Sequence, residues 1–238
     1  MKKFNKKRIV FILVWTFLPI GIFMLQTANN NLNQKTVATM SVPVTNRTII
    51  VDAGHGGEDG GAVSSNGVSE AQINLSIALK LQNLLEQSGA TVVLTRSDDN
   101  AIYDIDKTTL REKKNSDLKN RVKIGNTSSA DIFVSIHLNK IEQSQYYGWQ
   151  TFFKDGNEQG KKLATCIQEN LNEAIQKENK RTPLKISNIY IIKNVEIPTT
   201  IVECGFLSNP EEEKQLQTDE YQNKLAWGIY NGIMDYFL

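Results

Sequence analysis

The chain has 238 residues, 40% of them hydrophobic and 22% charged, the balance of a globular protein large enough for one well-filled core and not of a disordered segment. Its formal charge of +1 is uneven, because five of its 27 basic residues fall in the first eight positions and leave 22 against 26 acids beyond them. A mildly acidic body excludes a nucleic-acid partner, which needs a basic surface.

Met1–Arg8 carries Lys2, Lys3, Lys6, Lys7 and Arg8, and an uncharged run of 17 residues follows from Ile9 to Leu25. That length lies at the short end of a bilayer span, and the cations in front keep the amino terminus in the cytoplasm while the rest crosses. Gln26 occupies the outer small-residue position of a cleavage site, which favours a retained membrane anchor over a cleaved signal. Residues 26–46 are polar, lack aromatics and include Pro43, the composition of a tether. A single extracytoplasmic catalytic domain is expected over 47–238.

Thr48–Ala53 reads as a strand, Gly54–Gly67 as a glycine-rich loop, and Glu70–Ser88 as an amphipathic helix closed by Gly89. Thr91–Thr95 reads as a second strand, Asp117–Asn126 as a short helix and Ile132–Ile136 as a buried strand. Trp149–Phe153, Ile189–Ile192 and Thr199–Cys204 complete the strands, with helices over Gly160–Gln176 and Tyr221–Tyr236. Strands alternating with helices predict an α/β fold, a mostly parallel twisted sheet of about six strands with helices on both faces. Cys166 and Cys204 are too few for a disulfide framework, and we expect two buried free thiols.

The chain's two histidines both follow strand-like runs, His55 in VDAGHGG and His137 in ADIFVSIHLN. In open α/β sheets ligands bind outside the carboxyl ends of strands, and imidazole is the commonest protein ligand of zinc. A turn histidine and a satisfied core histidine are the plain alternatives. Glu70 follows the N-cap candidate Ser69, and an acid there is ordinarily a partner of the helix dipole. Glu203 differs: a carboxylate inside the apolar run Thr199–Val202 is costly to bury without a partner, and no arginine stands near it in sequence. Two imidazoles, one metal-binding carboxylate and one free carboxylate suit a hydrolytic zinc site, with the spare glutamate as general base and then acid.

The strings IIVDAGHGGEDGGAV, GVSEAQINLSIALKL, VVLTR, ADIFVSIHLN and TTIVECGFLSNPEE resemble, in order over residues 47–238, the motifs of the type-3 zinc-dependent N-acetylmuramoyl-L-alanine amidases. The resemblance implies one Zn²⁺ held by His55, Glu70 and His137, with Glu203 as the catalytic glutamate. It implies peptidoglycan as substrate, cut between N-acetylmuramic acid and the L-alanine of the stem peptide. Ala53 replaces a frequent proline, and Arg181-Thr182-Pro183 stands where an Arg-Gly pair is usual. Only eleven residues separate His137 from Trp149, too few for the self-blocking helix of division-associated members, and wall-binding repeats are missing. A short, membrane-tethered member of this kind is most similar to the CwlD-type spore-cortex amidases, which remove stem peptides before muramic lactam forms between forespore and mother cell. Without a blocking helix, control falls to timed expression or to an accessory protein that orders the ligand loop. Two other readings stand beside the amidase: a zinc peptidase cutting within the stem, and a non-catalytic wall-binding domain.

Overall fold

The computed structural model describes residues 18–27 and 42–238. Residues 18–27 are helical and exposed. Among the described residues no helix is long and apolar enough to cross a membrane, and most of the anchor expected over 9–25 and of the tether expected over 26–46 lies outside them. Residues 42–238 form one packed unit, which already includes the fully buried Val44.

Six strands, β1 (Thr48–Ala53), β2 (Thr91–Leu94), β3 (Ile132–Asn139), β4 (Gln150–Lys154), β5 (Leu184–Ile186) and β6 (Thr199–Phe206), form one sheet in the order β2-β1-β3-β6-β4-β5. Every pairing is parallel except β4 with β6. The central strands are buried along most of their length because both faces are covered. Helices α1 (Glu70–Gln87), α3 (Glu158–Ile175) and α6 (Asp219–Phe237) cover one face. Ile73, Ile77, Leu81 and Leu85 of α1 pack there on Ile49, Val51, Val134 and Val202. Each such aliphatic side chain contributes about 1.5–3 kcal/mol when fully buried. On the other face Ile50 and Phe133 meet Ile191 and Val195 beneath α2 (Leu110–Thr127) and α4 (Tyr190–Asn194). A last short helix, α5 (Pro210–Leu216), follows β6 and is capped by Asn209.

Three elements differ from the sequence reading. Ile189–Ile192 was expected as a strand, yet Tyr190–Asn194 makes one helical turn that buries Ile191 and Ile192. Short apolar runs carry no decisive periodicity, and the edge-strand place beside β4 goes to Leu184–Ile186 instead. Helix α2 begins seven residues earlier than expected, where Thr109 and Glu112 form a capping box. Ser69 stands at the N-cap of α1 but makes no cap bond; its hydroxyl donates to Gly60 O at 2.9 Å. Cys204 is buried and free as expected, whereas Cys166 is only half-buried.

Candidate metal centre and catalytic site

His55, Glu70 and His137 converge at the carboxyl edge of the sheet, their candidate ligand atoms all within 4.8 Å of one another. β1 ends at Ala53 and delivers His55 one residue beyond Gly54. β3 delivers His137, and the first residue of α1 delivers Glu70 from above. The glycine between strand and histidine is needed for space: a Cβ on Gly54 would stand 2.3 Å from the His137 ring. At Gly61 (φ +68) a Cβ would meet Glu70 Oε2 at 2.6 Å and the His55 ring at 2.7 Å. The Gly-rich loop is therefore a mould around the three side chains.

Glu70 is the hub. Its Oε1 lies 3.0 Å from His137 Nδ1 and 3.3 Å from His55 Nε2. Leu138 N–H and Asn74 Nδ2 donate to the same oxygen, and Ala62 N–H donates to Oε2 at 2.8 Å. Burial alone would raise its pKa, but the two histidines hold it well below the usual carboxylate range. His55 is turned by Asp59, whose Oδ2 is 3.1 Å from Nδ1, leaving Nε2 toward Glu70. Burial opposes a charge on His55, yet hydrogen bonds to Asp59 and Glu70 raise it to about 9. Asp59 is pulled well below its ordinary value, first by the His55 hydrogen bond.

The fourth residue lies beside them, since Glu203 on β6 is in register with His137 on β3. Its Oε2 is sealed from solvent and takes no hydrogen bond among the described residues. Burial, reinforced by the charge on Glu70, pushes its pKa up to about 7, a value suited to both taking and giving a proton near neutrality.

Does this set fit a zinc ion? Ligands about 2.0–2.2 Å from one tetrahedral zinc stand roughly 3.3 Å apart, close to the 3.0 and 3.3 Å spacings around Glu70 Oε1. The donors are two imidazoles and a carboxylate, and both imidazoles keep partial solvent access, 19% and 22% of the side chain. A carboxylate behind His55 is the usual outer support of a zinc-bound imidazole. The set fits.

Arg96 and Arg121, which fix the backbone here, are not among the residues that the sequence marks out. Arg96 Nε donates to Ala53 O at 2.9 Å, and its Nη2 bridges Gly54 O at 3.1 Å and Ala71 O at 2.8 Å. Arg121 Nη1 donates to Asp52 Oδ1 and Ala53 O, and its Nη2 to His55 O at 2.7 Å. Asp52 also accepts from Thr95 and Ser135; burial would raise it, but Arg121 and these bonds bring it below its ordinary value. The signals in sequence were Arg96 closing VVLTR and Asp59 four residues after His55.

Comparisons with known proteins agree with the geometry. The family profile of N-acetylmuramoyl-L-alanine amidases matches residues 49–235. The germination-specific N-acetylmuramoyl-L-alanine amidase of Bacillus subtilis is 35% identical over 216 residues, covering 91% of this chain and 89% of that protein. Among solved structures, the CwlD amidase from Clostridioides difficile, in complex with the GerS lipoprotein, is 49% identical with a TM-score of 0.79. It covers 80% of this chain and 98% of that one. The N-acetylmuramoyl-L-alanine amidase of Clostridium difficile 630 is 32% identical with a TM-score of 0.69, covering 81% and 97%. The chain belongs to the N-acetylmuramoyl-L-alanine amidase family and is a peptidoglycan amidase.

Proposed function

We propose that His55, Glu70 and His137 hold one zinc ion and that Glu203 moves the protons of amide hydrolysis. The observation that carries this is the sealed, unpartnered Oε2 of Glu203 in register with His137. A buried carboxylate with no donor has no structural use and a clear chemical one. When bound, zinc supplies a Lewis acid that polarises the scissile carbonyl and acidifies water. Glu203 takes a proton from the attacking water and delivers it to the nitrogen of L-alanine, because an amide nitrogen leaves only once protonated. Asp59 keeps His55 in the tautomer whose Nε2 faces the centre, and Glu70, gripped by two backbone N–H groups, cannot swing away.

The relatives suggest the setting we propose. The B. subtilis protein is germination-specific by name, and we assign this chain the removal of stem peptides ahead of muramic lactam formation in the spore cortex. The basic tip and apolar run of residues 1–25 serve as its membrane anchor, 26–46 as its tether, and 47–238 as the catalytic domain outside the cytoplasm. The C. difficile relative was solved with a lipoprotein, and we assign this chain an accessory lipoprotein of the same kind, which orders the zinc site. Metal analysis of the purified full-length protein tests both points. We expect about one zinc per chain and tighter zinc binding when the lipoprotein is added. Full activity without a divalent metal would refute the zinc centre, and unchanged affinity would refute the partner's role.

A further inference from the structure

Because β4 alone runs antiparallel to its neighbour β6, the segment leading into it arrives at the sheet edge where β1, β3 and β6 end. β5 is parallel to β4, so the segment leading into β5 arrives there too. Residues 145–149 and 178–183 therefore meet beside Glu203, which is paired with Gln150 across the β4–β6 ladder. The two segments are bonded together: Gln150 Nε2 donates to Thr182 O, and Asn179 Nδ2 donates to Trp149 O at 2.8 Å. Between them is a concave surface lined by Tyr146, Tyr147, Lys180 and Arg181.

A bulge in β6 aims this surface at the catalytic side. Glu203 stands opposite His137 and Phe206 opposite Asn139, three steps on β6 against two on β3. Phe206 thus falls on the face that Glu203 and His137 share. The Arg181 guanidinium lies over the Phe206 ring, its Cζ 4.8 Å from the centroid, roughly 7–10 Å along the bulged strand from Glu203. Among the described residues Arg181 has no ion pair, and its side chain makes one long contact, Nη2 to Tyr147 O at 3.5 Å. The acids nearby are already engaged. Glu178 pairs with Lys180 at 3.1 Å, and Glu212 accepts from the N–H groups of Gly148 and Phe206.

We propose that Arg181, framed by Tyr147 and Phe206, is the subsite for a carboxylate of the stem peptide on the leaving-group side of the cut. This rests on the reading that Glu203 protonates the leaving nitrogen. That nitrogen is the first atom of the stem, so the stem starts at Glu203 and, extended, advances about 3.3–3.6 Å per residue. Its second and third residues come within reach of Arg181. A planar guanidinium with free donors grips a carboxylate bidentately, which a lysine does not reproduce.

The test is to compare two synthetic muramoyl tripeptides on the zinc-loaded full-length protein. In one the carboxylates of the second and third residues are free, and in the other both are carboxamides. We expect the wild type to favour the acid probe by about 10–100-fold in kcat/KM, the size of a charge-assisted pair. Arg181→Gln should abolish that preference by lowering turnover of the acid probe, and Arg181→Lys should restore only part of it. Equal turnover of both probes by the wild type, a measurement that needs no variant, would overturn the subsite. So would a preference that survives in Arg181→Gln. If that variant lost melting temperature and slowed both probes equally, Arg181 would be only a distant counter-charge for Glu212, and the subsite would again fall. Failure of the wild type to cut either probe even with its accessory lipoprotein added would overturn the reading of the catalytic centre and the subsite with it.

Discussion

His55 sits in the left-handed region with φ 64°, a strained position for a side-chain-bearing residue, held by bonds on its ring and its carbonyl. Its ring is protonated at neutral pH in the metal-free protein, since its pKa is raised to about 9. A zinc ion must displace that proton. We therefore predict release of about one proton on zinc binding at pH 7, fading as pH rises through 9, with zinc affinity falling as pH drops. Calorimetry in buffers of different ionisation enthalpy measures the release, and none at pH 7 would show that zinc does not bind through His55. The same raised value stabilises the metal-free fold fully below about pH 6.5, and that contribution is lost as pH climbs through about 9. At this scale the sequence was legible where a polar residue broke an apolar run, as at Glu203. Asp59, Arg96 and Arg121 stayed hidden because their roles exist only through contacts 4 to 69 positions away.

Between elements, Arg96 is the clamp. One guanidinium joins the end of β1, through Ala53 O and Gly54 O, to the first turn of α1, through Ala71 O. It thereby fixes the offset between His55 and Glu70. Replacing it with methionine keeps length and bulk but removes one donor from each of three carbonyls, Ala53 O keeping Arg121 and Gly54 O keeping Asn74, at about 0.5–1.5 kcal/mol per bond. We predict that Arg96→Met lowers the melting temperature by roughly 5–10 °C and zinc affinity by about 10–100-fold. A thermal loss with unchanged zinc affinity, read by chelator competition, would make Arg96 a stabiliser without a part in the site. The strands that end at the site were readable because their apolar runs are long and buried on both faces. β5 was not, since an edge strand of three residues with two exposed positions leaves almost no pattern. Nor was α4, a single turn whose burial is decided by α2 lying above it.

For the whole molecule, the alternation of strands and helices gave the layered sheet, and the antiparallel entry of β4 is what it could not give. An alternating pattern implies parallel strands by default, and only the paired register shows β4 turned around. That reversal matters for function, because it brings two connecting segments to the Glu203 side and leaves His55 bordered by the β1–α1 loop and α2. The site thus has two unlike flanks, with the His55–Glu70–His137 cluster on one and the buried Glu203 carboxylate beside the Arg181 surface on the other. The division predicts a single bond of attack, with the glycan and stem on fixed sides.

Mass spectrometry of purified peptidoglycan after incubation with the zinc-loaded full-length protein tests this account most directly, with Glu203→Gln run beside it. The account predicts free stem peptides beginning with an L-alanine amine, glycan strands retaining the lactyl carboxylate, and a loss of about 10²–10⁴-fold in Glu203→Gln with zinc content unchanged. Cleavage inside the stem, or near-normal release of stems by Glu203→Gln, would contradict it.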